Sequence, residues 1–468
     1  MQIFVDTVVN ISGWLWGPPI LILLTAASIF LSVRLGFFQF LKFGYIFKST
    51  FCKAFSKSDH NRGEGTVSAF QALTSALGCT VGAGSIVGVP VAITMGGPGA
   101  VFWMWLIAFL GMALKYGEIV LAVKYREVNA KGEFVGGPVY YMTNGMKMKW
   151  MAAIFGVSLM IEAALSSLVQ ANALAGSAEA SLNIPPLVSG IVVMIIGGVV
   201  VIGGVKRLGS FTEKLVPFMA SLYILASIVI VMMNFEKIPE VFGLIFYHAF
   251  TPMSAVGGFA GSSVAMAIRW GVARGIYTNE AGVGTAPIAH SAATTDHPAR
   301  QALWGIAEVT LTTLVICSCT AFVVLCTDVW KIADAADVGG TLATVAFGQA
   351  FGAVGGVLVT ISLILFVMST IIVLIWYGEK QAEFLFGSVV ATIYRFVCVF
   401  LIPLGAVGAA RYLWQFLDLA LALILIPNVI AILYLNKDIV AATKEFFGTE
   451  GKYYLKDLEE AKAAKKKA

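Results

Sequence analysis

Gly78-Cys79-Thr80-Val81-Gly82-Ala83-Gly84-Ser85, with Pro90 beyond it, interrupts an apolar stretch running over residues 66–95. A second stretch, Gly275-Ile276-Tyr277-Thr278-Asn279-Glu280-Ala281-Gly282-Val283-Gly284, with Gly271 before it and Pro287 after, does the same within 251–293. Each carries Gly-x-Gly followed by Pro, and the two lie about 200 residues apart. Glycine admits backbone dihedrals that other residues avoid and lets a ligand approach the main chain. A helix broken at membrane depth frees N–H and C=O groups that lipid cannot satisfy. It therefore persists only where it is buried in protein or faces a polar cavity. The N-terminus of a half-helix then offers donors and partial positive charge to a carboxylate, while freed carbonyls offer ligands to a hard cation. The competing reading is that these glycines only permit close helix packing. A matched pair, one member carrying Asn279 and Glu280, favours two breaks on either side of a central site.

Outward from these stretches, the composition is that of a chain dissolved in lipid. Of 468 residues, 59% are hydrophobic and 12% charged, against roughly 25% charged in soluble domains. Apolar runs recur at the length of about 20 residues needed to cross roughly 30 Å of hydrocarbon. A β-barrel would show short alternating segments instead. The pattern predicts an all-α polytopic membrane protein with eleven crossings, over 14–34, 66–95, 98–123, 148–178, 186–204, 208–233, 251–293, 300–327, 353–377, 388–408 and 413–435. The N-terminal Met-Gln-Ile-Phe-Val-Asp lacks a basic region, so the first apolar segment is expected to stay as a span.

The net charge of +5 is explained by where the bases sit and implies no nucleic-acid partner. Six basic residues lie between Arg34 and Arg62, five between Lys124 and Lys149, then Lys206, Arg207 and Lys214, and eight Lys between Lys437 and Lys467. The alternate connections hold Lys237, Lys331 and Arg411 with Asp328, Asp334 and Asp337. By the positive-inside rule, the N-terminus is expected outside and the C-terminus in the cytoplasm of a plasma-membrane protein. Residues 1–65 then form an extra helix and loop, 66–233 and 234–435 two five-helix repeats, and 436–468 a charged tail that is solvated or faces headgroups. Five is odd, so the repeats are inverted. Paired Gly/Pro interruptions at equivalent places in inverted halves are the sequence pointer to a transporter's central site.

Other polar residues fall at membrane depth, where each is costly unless paired or wetted. Gln170, in Ser166-Ser167-Leu168-Val169-Gln170-Ala171-Asn172, is placed to donate to a substrate carboxylate or to another helix. Glu280 is a counter-ion bracing the break, an amine-binding carboxylate or a proton site. Ser369 and Thr370 offer two hydroxyls to Na⁺ or to the preceding turn. Lys115 and Glu118 read as a structural i,i+3 pair, and Trp376 as an interfacial anchor or a gate. Six Cys and four His are scattered without metal-ligand or disulfide spacing, so neither a transition metal nor another cofactor is expected. An embedded enzyme would need clustered catalytic groups, and none is visible in the sequence.

With both interruptions in hand, the chain resembles the alanine or glycine:cation symporter family, whose members adopt a LeuT-type fold. The resemblance rests on Phe70 to Trp105 (FQALTSALGCTVGAGSIVGVPVAITMGGPGAVFWMW), on GGPVYYM at 136–142 and on GIYTNEAGVGTAPIAHSAA at 275–293. It implies one helix ahead of a five-plus-five inverted core and Na⁺-coupled uptake of alanine or glycine by alternating access. A proton-driven relative of the same architecture is the alternative. Gly82-Ala83-Gly84-Ser85 to Pro90 is similar to the GxGN…P of the first core helix. The match implies substrate contacts from Thr80, Gly82 and Gly84. It also implies a sodium site formed by the Gly78 and Val81 carbonyls with the Ser369 and Thr370 hydroxyls. Ser85 stands where leucine-type relatives carry the Asn of a second sodium site. Thr278 and Asn279 are the expected contacts from the second break.

Overall fold

Ser68 and Gln71 start the first interrupted helix. The Ser68 hydroxyl accepts the Gln71 N–H and the Gln71 side chain accepts the Ser68 N–H, both at 3.1 Å, a reciprocal capping box. The computed structural model describes residues 10–53, 63–256, 259, 261–332, 341–408, 410–448 and 453–457. In it the helix runs Ala69–Thr80, breaks, and resumes over Gly84–Gly96 at an angle of 50°. Pro90 falls in the first turn of the α-helix Val89–Gly96, a position where its missing N–H is tolerated.

The second interrupted helix starts where the Ser263 hydroxyl accepts the Met266 N–H at 3.2 Å. It runs Val264–Asn279 and resumes over Ala286–Ser291, again with Pro in the first turn. The expected start at 251 is corrected, because the described part of 251–263 forms only isolated bridges, Met253 with Ser262 and Val256 with Phe259. Val264–Asn279 packs on Val89–Gly96, and Ala286–Ser291 packs on Ala69–Thr80. First half meets second half, so the two broken helices run antiparallel. Short main-chain pairing joins their ends, with Thr66 N–H donating to Ala292 O at 2.8 Å and Thr294 N–H to Val67 O at 2.7 Å.

Among the described residues, eight helices around this pair are long and apolar enough to cross a bilayer, and the bent pair Ala69–Thr80 with Gly84–Gly96 makes a ninth span. Two other predicted crossings fall on shorter helices, Pro186–Ile202 and the second broken helix. Eleven is reached only by counting these two. The crossing expected over 353–377 continues as one helix, Ala353–Phe386. Trp376 therefore lies inside a helix, 3% exposed, and the interfacial-anchor reading is set aside. Helices Ile238–His248 and Leu342–Phe351 occupy connections for which no helix was expected.

Polarity is inverted relative to a water-soluble protein. Ile191, Ile195, Val199 and Ile202 point outward from Pro186–Ile202, while Lys115, Glu118 and Glu308 are fully buried. Lipid is the solvent that makes this arrangement stable. The tail, expected as a solvated or headgroup-facing helix, begins as a helix but packs on Ala100–Lys124 and Pro298–Val309. Asn436–Phe447 is a helix that buries Ile439 and Phe446, and its Asp438 accepts from Lys124 at 2.8 Å and Tyr125 at 2.7 Å. Farther along, Asp457 accepts from Arg300 at 2.6 Å and Tyr45 at 2.7 Å. The Lys-rich end at 458–468 lies outside the described residues.

Candidate binding site

The two breaks border a cavity of about 40 Å³. A single water needs roughly 10–15 Å³ on this scale, so the space suits a ligand of few heavy atoms. Thr80, Gly82 and Gly84 line it from the first break and Glu280 from the second, with Gln170 and Thr370 from neighbouring helices. A Cβ built on Gly82 would lie 2.8 Å from Thr370 Oγ1 and 3.3 Å from Gln170 Nε2. The absent side chain is what lets a hydroxyl and an amide approach bare backbone.

Next to the cavity, oxygens converge on the end of Ala69–Thr80. Ser369 Oγ and Thr370 Oγ1 each lie 3.1 Å from Gly78 O, and Thr370 Oγ1 lies 3.4 Å from Cys79 O. Both hydroxyls are also within 2.8 and 2.9 Å of Phe366 O on their own helix. A hydroxyl has one proton and two lone pairs. Each proton has Phe366 O or Gly78 O as acceptor; with both on Phe366 O, lone pairs face the carbonyls of Gly78 and Cys79, a set that a hard cation would satisfy. Val81, also expected here, donates its N–H to Leu77 O at 2.8 Å. It leaves helical geometry with φ −89° and ψ 72°, which turns its carbonyl out of the helical ladder.

The second break is held open by buried charge. Glu280 takes a left-handed conformation, φ +51°, and its carboxylate accepts from the Thr285 hydroxyl and, at 3.5 Å, from the Cys79 thiol. Lys115 Nζ donates to Glu280 O at 3.4 Å and to Glu308 Oε1 at 3.2 Å, with Glu118 Oε1 at 3.8 Å. Asn428 donates to Gly282 O at 2.9 Å and to Glu118 Oε2 at 3.0 Å, and itself accepts from the Tyr141 hydroxyl. Gln301 donates to His290 Nδ1 at 2.8 Å, which leaves Nε2–H to face Glu308 at 3.4 Å. Two carbonyls freed by the break, those of Glu280 and Gly282, thus find donors from other helices. Lys115 and Glu118 are more than an i,i+3 pair. They brace the break.

Removing the cation from this cluster leaves buried carboxylates unpaired. Lys115→Met is expected to cost about 3–5 kcal/mol, read as a lower unfolding temperature of the detergent-solubilised protein. An unchanged unfolding temperature would show that the cluster does not hold the fold.

The remaining expected residues lie elsewhere. Thr278 Oγ1 donates to Gly275 O at 2.9 Å and does not line the cavity. Asn279 Oδ1 accepts the Ala281 N–H at 3.0 Å, so it shapes the turn into the break. Ser85 is buried, with its carbonyl accepting from Thr320 at 2.9 Å. Trp376 is likewise not among the lining residues. Sequence reading passed over Trp16, Cys79, Glu162 and Tyr277, all of which line the cavity. Glu162 had a signal, a lone carboxylate in an apolar run. Trp16 had none, because only packing brings the first helix here. Trp16 and Tyr277 also line a second cavity of about 260 Å³ with Arg269, Arg274 and Asp418, so these two rings stand between the two spaces. Trp16 Nε1 is fixed by donating to Asp418 O at 2.8 Å.

Comparison with known proteins agrees with this architecture. An uncharacterized transporter of Bacillus subtilis (strain 168), YflA, is 51% identical over 453 residues, covering 97% of this chain and 95% of that protein. The sodium/alanine symporter AgcS of Methanococcus maripaludis is 40% identical over 448 residues, 95% of this chain and 97% of its own. Among solved structures, MhsT in complex with L-phenylalanine superposes with a TM-score of 0.57 at 14% identity, over 83% of this chain and 95% of that one. At that identity the likeness shows the fold, which is LeuT-type. Residues 1–460 match the family model, and the chain belongs to the sodium:alanine symporter family.

Proposed function

We propose that this protein is a Na⁺-coupled symporter of small neutral amino acids, alanine and glycine first among them, working by alternating access in the plasma membrane. The observation that carries the reading is the pair of broken helices around one small cavity, with the Gly78, Ser369 and Thr370 oxygens beside it. Na⁺ binds at those oxygens and ties Ala69–Thr80 to Ala353–Phe386. The substrate carboxylate takes the bare amides near Gly82 and Gly84 with the Gln170 amide. Its ammonium lies toward the second break. The sodium/alanine symporter AgcS supports the choice of ion and substrate, and a cavity of about 40 Å³ supports small side chains. Loop charges support an outside N-terminus, with the repeats over 66–233 and 234–435 inverted about the site.

Coupling requires that ion and substrate favour the same closed state. Alanine is therefore expected to raise the unfolding temperature of the purified protein in Na⁺ and not in choline. At a ligand concentration of 100 times Kd the stabilisation amounts to about 2.7 kcal/mol. Equal shifts in both salts would contradict sodium coupling.

A further inference from the structure

One carboxylate in the cavity has no hydrogen-bond partner among the described residues. Glu162, Ser166 and Gln170 line the cavity from the helix Lys149–Leu182. Their i, i+4, i+8 spacing puts them on one face, with Glu162 about 12 Å along the axis from Gln170. Gln170 stands by Gly82, so Glu162 belongs to the opposite end. It is 5% exposed, and its Oε2 is buried with no hydrogen-bond partner. Glu280, the other carboxylate of the cavity, has the Thr285 hydroxyl, the Cys79 thiol and nearby Lys115.

Among the described residues, the groups around Glu162 bring it no cation. The charge that bears on it is that of Glu280 from the second broken helix. The first broken helix contributes the Cys79 thiol, the second the Tyr277 phenol, and Ser388–Val407 the Tyr394 phenol, whose hydroxyl donates instead to Met160 O at 2.8 Å. Ala353–Phe386 contributes Thr370 and Leu374, and the last crossing Leu421. With no substrate ammonium in the cavity, an ionised Glu162 is an unpaired buried charge facing a like charge, which is costly. Glu162 and Glu280 belong to no group of three or more His, Cys, Asp or Glu that could hold a metal ion among the described residues. A proton requires only one carboxylate.

We propose that Glu162 is the proton-binding group of the transport cavity, separate from the cation site at Gly78, Ser369 and Thr370, and that the cavity closes only when Glu162 is protonated. The proton is taken from the water of the open cavity and returned to water when the cavity reopens. The proposal rests on the transport reading above for its cycle, though not for its protonation state.

The test is alanine uptake into proteoliposomes under a fixed Na⁺ gradient, from about pH 6 to about pH 9, for the wild type, E162Q and E162D. Once the proton is lost, the competent fraction falls about tenfold per pH unit, and wild-type and E162D rates are expected to follow it. E162Q, whose amide stands for the protonated carboxyl, is expected to give a flat profile whatever its maximal rate. A fall in E162Q parallel to the wild type, or a flat wild-type profile, overturns the proposal. Infrared difference spectra of the purified protein supply a readout that needs no transport. A protonated-carboxyl stretch at neutral pH, lost in E162Q, is expected, and its absence from the wild type overturns the proposal. If no protein takes up alanine at any pH, the transport reading fails while the infrared band still decides the state of Glu162.

Discussion

Ser369→Ala combined with Thr370→Val is expected to abolish Na⁺-dependent uptake of alanine while the protein still inserts and folds. The two hydroxyls are the side-chain oxygens that face the carbonyls at the end of Ala69–Thr80, at 3.1 Å from Gly78 O. Valine keeps the shape of threonine and removes its oxygen, so the helix contact survives and the ligand does not. Both hydroxyls also have a partner in Phe366 O on their own helix. Their loss leaves that carbonyl with its ordinary helical bond, which is why little stability is at stake. Each single change is expected to raise the half-saturating Na⁺ concentration about tenfold, equivalent to about 1.4 kcal/mol of ion binding. The measurement is initial uptake rate against Na⁺ concentration. Unchanged half-saturation in the double variant would remove the ion from this position.

Gly84→Leu is expected to stop uptake of every amino acid. A Cβ at this position would already sit 3.0 Å from Tyr277 Cε1 and 3.1 Å from Tyr277 Cδ1. The further carbons of leucine have only the Tyr277 ring or the 40 Å³ cavity to enter. Either choice blocks the site. Tyr277 moved outward disturbs the contact between the two cavities, and leucine turned inward fills the space meant for substrate. Insertion and folding, read by size-exclusion behaviour in detergent, are expected to be normal. Transport by this variant at the wild-type rate would mean that substrate passes elsewhere.

The breaks were legible because they are written in backbone chemistry. Gly-x-Gly followed by Pro has few uses inside an apolar run, and both pairs mark real interruptions. The Ser369 and Thr370 hydroxyls, offered by the sequence to Na⁺ or to the preceding turn, lie at Phe366 O of that turn and at Gly78 O of the broken helix. What escaped was whatever depends on which helix faces which. Trp16 enters the cavity from a helix that the repeat pattern sets outside the core, and no periodicity announces that contact. Lys115 and Glu118 looked complete as neighbours on one helix, and their partners Glu308 and Asn428 come from far along the chain. Asn279 and Glu280 sit side by side in sequence, but the turn sends one into capping and the other toward the cavity. Helix ends were misread where hydropathy continued past a structural boundary, as at 251–263, or stopped short of one, as after 377.

The most direct measurement is uptake of radiolabelled alanine into proteoliposomes holding the purified protein, with an inward Na⁺ gradient and with choline in its place at the same pH. Accumulation above the outside concentration in Na⁺, collapsing to simple equilibration in choline, is the predicted result. Equal accumulation in the two salts would contradict a cycle driven by sodium held between the broken helix and its neighbour.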